Sequence, residues 1–184
     1  MFYVSEINHE APQNFENDTQ REIYEALATL DIPFDRVEND YVVTMDECKA
    51  VDAKLGTDIV KNLFLCNRQE TSFYLYVTRG DKRFKTKIFS KALGVSRLSF
   101  APEECLKEYL GTTIGATTPF SLVHDKDCRV KLVIDEELMD RKFHACNDGT
   151  NNAHISILTS DFIDRYLPYS KHEPVILHVD EETE

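Results

Sequence analysis

The chain has 184 residues, 42% hydrophobic and 29% charged, which fits one globular domain able to bury a core without staples. Its formal net charge of −12 argues against tight, sequence-independent nucleic-acid binding, which needs Lys and Arg to neutralise phosphates. No apolar run approaches the roughly 20 residues needed to cross a bilayer, and the five cysteines show no CxxC spacing, which reads as reduced thiols in a cytoplasmic protein.

The start, Met1 to Glu6, has neither a basic nor an apolar leader region, so no secretory signal is expected. Residues 1–17 contain Pro12 and several Asn and Glu and read as a lead-in. Asp18 or Thr19 is expected to cap a helix through Leu30, because Ile23, Ala26, Leu27 and Leu30 recur at helical spacing. Pro33 starts a short strand, Phe34 to Val37. Thr44 or Asp46 caps a second helix that closes at Leu55, with Gly56 in the C′ position.

Lys61 to Cys66 is nearly continuous in apolar residues after a polar start, as expected of a central strand. Phe73 to Val77 is aromatic and β-branched, with a turn at Arg79-Gly80-Asp81. Lys87 to Leu93 reads as a helix stopped by Gly94. Leu98 to Phe100 is extended, and Pro102 at N1 opens a helix through Leu110, closed by Gly111. A glycine- and threonine-rich stretch leads to Pro119–Val123, an apolar strand by pattern. Strands follow at Val130–Ile134 and Ala153–Leu158, with a turn or short helix over Asp135–Met139 between them. Ser160 caps a helix through Leu167, and Pro174 to Val179 gives a last strand. This interspersion predicts a single α/β domain, residues 18–179, with a mixed β-sheet flanked by helices. Residues 180–184 form an acidic tail.

Three segments carry candidate chemistry: Lys61-Asn62 at the strand start, the loop Gly115-Ala116-Thr117-Thr118-Pro119-Phe120, and Phe143-His144 with Asn147. In isolation each has a plain reading. A strand lysine is usually a solvent-facing edge residue, and glycine and proline punctuate any turn. His144, Cys146 and His154 lack the tight, paired spacing of a structural zinc site, so no metal is expected. Cys146 beside His144 could be a nucleophile, but a lone cysteine in a core strand is usually a small hydrophobe. The basic run Arg79 to Lys87 is a solvated hairpin or, through Lys82, Arg83 and Lys85, a phosphate-contacting patch.

Taken together, Val60-Lys61-Asn62-Leu63-Phe64-Leu65, the Leu93-Gly94 and Leu98-Ser99-Phe100 stretch, and the Gly115…Pro119 loop resemble the YbaK/ProX family of aminoacyl-tRNA deacylases. These are relatives of the editing domain inserted in bacterial prolyl-tRNA synthetases. The resemblance runs from about Thr19 to Leu167 and is strongest to the free-standing ProX type, which clears alanine from proline tRNA. It implies that Lys61 lies beside the terminal adenosine and the aminoacyl ester, with Asn62 a polar neighbour in the same site. It implies that the backbone of the Gly115–Pro119 loop surrounds the scissile ester and that His144 closes the pocket. Ala145 stands where the family usually has proline, and Ile114 where a proline is common.

The implied reaction is hydrolysis of mischarged tRNA, chiefly Ala-tRNA(Pro), by water assisted by the terminal ribose hydroxyl. No cofactor is expected. The expected partner is tRNA, with prolyl-tRNA synthetase allowed as a second. The alternatives are the same reaction on Cys-, Ser- or Thr-tRNA, and a non-catalytic module that binds tRNA or a synthetase.

Overall fold

The computed structural model describes residues 2–42 and 44–181. Its strands divide between two sheets. The smaller is antiparallel, with β1 (Asp35–Glu38), β7 (Ala153–Leu158) and β6 (Phe143–Asn147) in that order. The larger runs β4 (Ser99–Phe100), β2 (Val60–Cys66), β3 (Phe73–Arg79), β5 (Val130–Asp135), β8 (Val175–Leu177). In it β2 is antiparallel to β3 and β4, while β3–β5 and β5–β8 are parallel. The expected mixed sheet is therefore present, with the three-stranded sheet beside it.

Strand alternation explains how the larger sheet is buried on both faces. Phe64, Cys66, Phe73, Leu75, Val77, Leu132 and Ile134 enter the main core, which also receives Cys146, Ile155 and Ile157 from the smaller sheet. Leu65, Tyr74, Tyr76 and Val133 face the other way, against Phe89 and Leu98. Phe89 comes from α3 (Thr86–Leu93). A third cluster of Val37, Val42, Cys48, Val51, Leu55, Ile59 and Ala145 lies beneath α2 (Lys49–Leu55).

The helices form largely where hydrophobic spacing placed them, but several caps differ. α1 (Asp18–Thr29) is capped by Asn17, whose side chain accepts from the Gln20 N–H at 2.8 Å, rather than by Asp18 or Thr19. α2 starts at Lys49 after a turn in which Glu47 accepts from both the N–H and the hydroxyl of Thr44. Pro102 is the cap of α4 (Glu103–Cys105), not its first residue, and the helix widens into a π turn, Leu106–Leu110. Thr159, not Ser160, opens α5 (Thr159–Asp161), which continues as a π turn over Phe162–Tyr166 and as α6 (Leu167–Ser170).

Pro119–Val123 is a 3-10 helix, not the expected strand. The Thr118 hydroxyl accepts from the Phe120 N–H, and proline supplies the helical φ. His144 lies within β6, which leads into the loop of residues 148–152. The lead-in lies alongside β1: Asn8 and Arg36 exchange backbone hydrogen bonds of 2.9 and 2.8 Å, and the Ser5 N–H donates to the Glu38 carbonyl. At the other end Val179 is buried, while the tail residues Glu182 to Glu184 lie outside the described residues. Among the described residues no helix is long and apolar enough to cross a membrane.

Candidate active site

Alternation along β2 sends Lys61 and Asn62 in different directions. Asn62 turns inward, and its amide donates to the Thr117 carbonyl at 3.1 Å and to Cys146 Sγ at 2.9 Å. Its Oδ1 is buried without a protein partner among the described residues. Lys61 is half-buried, and its Nζ donates to the Lys82 carbonyl at 2.6 Å. Burial holds its pKa below the ordinary lysine value, against the opposing charges of Asp81 and Glu181.

The glycine loop is fixed from β6 and from the loop that follows it. Asn147, at the end of β6, donates to the same Thr117 carbonyl at 3.0 Å, and its Oδ1 accepts from the Gly149 N–H. Asn151 donates to the Val42 and Ile114 carbonyls at 3.0 and 3.4 Å. Gly115 has φ 84°, and a Cβ built there would stand 2.4 Å from Asn151 Nδ2. Glycine is thus required both by the left-handed backbone and by the close approach of that amide. Among the described residues, the N–H groups of Gly115 and Thr117 donate to no protein acceptor.

These residues enclose a cavity of about 320 Å³ lined by Lys61, Asn62, Gly115, Thr117, Asn147 and His154, with Val42, Thr44, Met45, Cys48, Ile59 and Val60. Its apolar end is formed by the cluster under α2. A larger open depression of about 800 Å³ between α1, β1 and β7 includes Phe143 but none of Lys61, Asn62, the glycine loop, His144 or Asn147. Its size reflects openness to solvent rather than convergent chemistry.

Not all expected residues meet here. His144 does not line this cavity. It is buried in the main core, stacked flat on Phe162 with ring centroids 4.0 Å apart and edge-on to Phe120. Its Nε2 is buried without a partner among the described residues, and burial, with the Arg141 charge, pushes its pKa down to about 3. The strand periodicity is the reason: in β6, His144 and Cys146 share one face while Ala145 and Asn147 share the other.

Phe120 and Pro119 are likewise buried, and the Phe120 carbonyl accepts from Tyr166 Oη at 2.7 Å. Ala116 and Thr118 are buried supports of the loop, whereas Thr117 reaches the cavity. Cys146 is a core thiol pushed up to about 11 by burial, far from thiolate character at neutral pH.

The basic run is largely used inside the molecule. Lys82 is 2% exposed, and its ammonium pairs with Asp135 at 2.7 Å and Glu137 at 3.0 Å. The Asp135 carboxylate also accepts from Tyr76 and Thr78 hydroxyls, both at 2.7 Å. Against burial, these contacts hold Asp135 below the ordinary carboxylate range. Lys82 is therefore an interior cation and cannot lie on a phosphate-contacting surface. Arg83 and Lys85 are exposed, and the Arg83 N–H donates to Glu181 at 3.2 Å.

His154 is the residue that sequence reasoning missed as part of the site. It stands opposite Asn147 in the β6–β7 register. The sequence signal that could have found it is period-2 alternation carried from Asn147 across the turn. Val42, Met45 and Cys48 were not visible as lining residues, since only the tertiary fold brings them under β2.

The sequence profile described as "Aminoacyl-tRNA editing domain" matches residues 41–164, which include Lys61, the glycine loop, Asn147 and His154. The chain belongs to that family. Its members are aminoacyl-tRNA deacylases that act on tRNA. The chain is 32% identical over 144 residues to the prolyl-tRNA editing protein ProX of Acetoanaerobium sticklandii, covering 78% of this chain and 88% of ProX. It is 32% identical over 166 residues to the prolyl-tRNA synthetase associated domain-containing protein 1 of Danio rerio, covering 89% of each. Among solved structures, hypothetical protein APE2540 superposes with a TM-score of 0.65 at 19% identity, over 85% of this chain and 98% of that one. A candidate trans-editing enzyme for prolyl tRNA synthetase superposes with a TM-score of 0.62 at 18% identity, over 92% and 100%. These two likenesses establish the fold.

Proposed function

We propose that this protein is a trans-editing enzyme that hydrolyses the ester of alanine mischarged on proline tRNA, through the domain formed by residues 18–179. The observation that carries this reading is the glycine loop held beside Lys61, with the Thr117 carbonyl drawn inward by Asn62 and Asn147. Those two amides hold the loop in place, and the N–H groups of Gly115 and Thr117, which donate to no backbone carbonyl among the described residues, are available to a substrate oxygen.

In this reading the ester carbonyl oxygen sits against those N–H groups, which stabilise the oxyanion formed as water attacks. The Lys61 ammonium spends one donor on the Lys82 carbonyl and has others for the 3′ end of the tRNA. Its charge favours both the phosphate and the developing oxyanion. As water attacks, its proton passes by way of the neighbouring ribose hydroxyl to the ester's ribose oxygen, and collapse of the tetrahedral intermediate breaks the acyl–oxygen bond to release alanine and the free ribose hydroxyl. Asn62 and Asn147 position the loop; their amide protons are already committed. No protein nucleophile is needed, consistent with the protonated state of Cys146.

Val42, Met45, Cys48 and Ile59 offer an apolar end suited to a methyl side chain. A synthetase pocket built for proline discriminates poorly against a smaller residue, because a missing methylene is worth only about 1–3 kcal/mol. A second site for the smaller group supplies the remaining fidelity. Resemblance to proteins named for prolyl-tRNA editing and prolyl-tRNA synthetase supports proline tRNA as the substrate and that synthetase as a partner, and the proposed place of action is the cytoplasm.

The test is deacylation of purified Ala-tRNA(Pro) beside Pro-tRNA(Pro) and the Cys-, Ser- and Thr-charged species. Preferential hydrolysis of the alanyl ester is expected. Preference for another aminoacyl group would replace alanine, and binding without turnover on any of them would overturn the enzymatic reading.

A further inference from the structure

The cavity has to accommodate more than an ester and a methyl group. Every aminoacyl ester also carries an α-ammonium at neutral pH. Among the described residues none that lines the cavity is acidic, so a neutral acceptor must take its protons if they are to be bound. Most candidate acceptors are occupied. The Thr117 carbonyl receives Asn62 and Asn147, Asn147 Oδ1 receives the Gly149 N–H, and Asn62 Oδ1 is sealed from the cavity.

His154 differs. The residue is 3% exposed, and its Nδ1 lies 2.8 Å from Asn39 Oδ1. The orientation of the Asn39 amide is fixed independently, because its Nδ2 donates to the Asp40 carbonyl at 2.8 Å. Asn39 therefore presents an oxygen to the imidazole, and Nδ1 must carry the proton. That tautomer leaves the lone pair on Nε2, which has no protein partner among the described residues. Burial keeps the ring neutral, with a pKa pushed down to about 4. An imidazolium here would repel a bound ammonium, whereas a neutral imidazole attracts one.

We propose that His154, oriented by Asn39, forms an amine subsite in which Nε2 accepts a hydrogen bond from the α-ammonium of the aminoacyl ester. This rests on the deacylase reading and extends it to the part of the substrate common to all aminoacyl-tRNAs. The subsite gives the acyl group a second anchor besides Lys61 in the same cavity, setting the carbonyl against the glycine loop. It also excludes esters whose nitrogen is acylated. Peptidyl- and formylaminoacyl-tRNAs lack the ammonium, and a hydrolase that cleaved them would abort translation.

The experiment compares alanyl and propionyl esters of the same proline tRNA, identical except for the amine, each corrected for its hydrolysis in buffer. The parent protein is expected to prefer the alanyl ester by at least tenfold in corrected kcat/KM. In His154→Phe this preference should collapse toward unity, and His154→Gln, which restores an acceptor, should recover part of it. Loss of folding would lower both esters together without changing their ratio.

A parent protein that hydrolyses both esters with no amine preference overturns the subsite and leaves the deacylase reading intact. An unchanged preference in His154→Phe does the same. Failure of the parent protein to hydrolyse either ester counts against the deacylase reading itself.

Discussion

Asn62 and Asn147 donate to one carbonyl oxygen, that of Thr117, at 3.1 and 3.0 Å from two different sheets. The pair spans the junction between the sheets and fixes the Thr117–Thr118 peptide of the glycine loop, whose residues Gly115 and Thr117 line the cavity. Because the two amides share an acceptor, their contributions should be coupled rather than additive. Asn62→Ala and Asn147→Ala are each expected to lower kcat/KM by about tenfold, the loss of one buried hydrogen bond. The double variant should fall short of the product of the two. Steady-state deacylation across the four proteins measures this; full additivity would mean that the two residues act independently.

Lys61→Ala should reduce kcat/KM by about a hundredfold, the scale of losing a charged group at a developing oxyanion. The thermal midpoint should change little, since the side chain is only half-buried. Burial lowers the Lys61 pKa, so the charge is lost at lower pH than for a free lysine. The enzyme-dependent rate should therefore decline on the alkaline side before an ordinary lysine titrates. A corrected pH–rate profile that stays flat there would remove the Lys61 charge from the reaction.

Gly115→Ala tests the close approach of the loop to Asn151. The added Cβ meets Asn151 Nδ2, and the positive φ adds about 1–2 kcal/mol of backbone strain. A loss of activity larger than the accompanying loss of stability is expected, measured by deacylation and denaturant unfolding on the same preparation.

His144 is expected to act on stability rather than on turnover. Its folded pKa of about 3 lies below the unfolded value near 6.5, so between these the unfolded chain binds the extra proton. The corresponding stability is complete above the unfolded pKa and is lost as pH falls toward 3. At pH 5 the loss is about 2 kcal/mol for this one group. His144→Phe keeps the stack on Phe162 and removes the unpartnered Nε2. It should lose less stability than the parent protein between pH 7 and pH 5, with turnover little altered. Equal acid sensitivity in denaturant melts would contradict this.

Lys82→Met leaves Asp135 buried without its cation, a change that costs about 3–5 kcal/mol. A marked fall in thermal midpoint is expected. If the folded variant instead showed only weaker tRNA binding at full stability, Lys82 would belong to the nucleic-acid surface after all.

The order of elements was legible because period and turn chemistry are local. Ile23, Ala26 and Leu27 face the core as their spacing implies, and Gly56 closes α2 with φ 68°. Lys61, Asn62 and the Gly115 loop could be picked out only through their joint order, which resembles that of the editing family, because each alone is ordinary strand or turn chemistry. Pro119–Val123 was misread because five apolar residues fit a strand or a buried helix equally well, and only the Thr118 cap decides. His144 was misplaced because the alternation of β6 depends on register with β7, which no local signal specifies. The fate of Lys82 was hidden for the same reason, since Asp135 reaches it only through the β3–β5 pairing.

That long-range pairing has a kinetic consequence. β1 meets β7 with Asp35 opposite Ser156, and β3 lies parallel to β5 with Tyr76 opposite Val133. Closing such large loops must precede the contacts that reward it, so folding should be slow for a chain of this size. The cavity collects residues from Val42 to His154 and has no local nucleus of its own. Hydrolytic competence should thus appear late in refolding, with the last cooperative phase rather than with early helix formation.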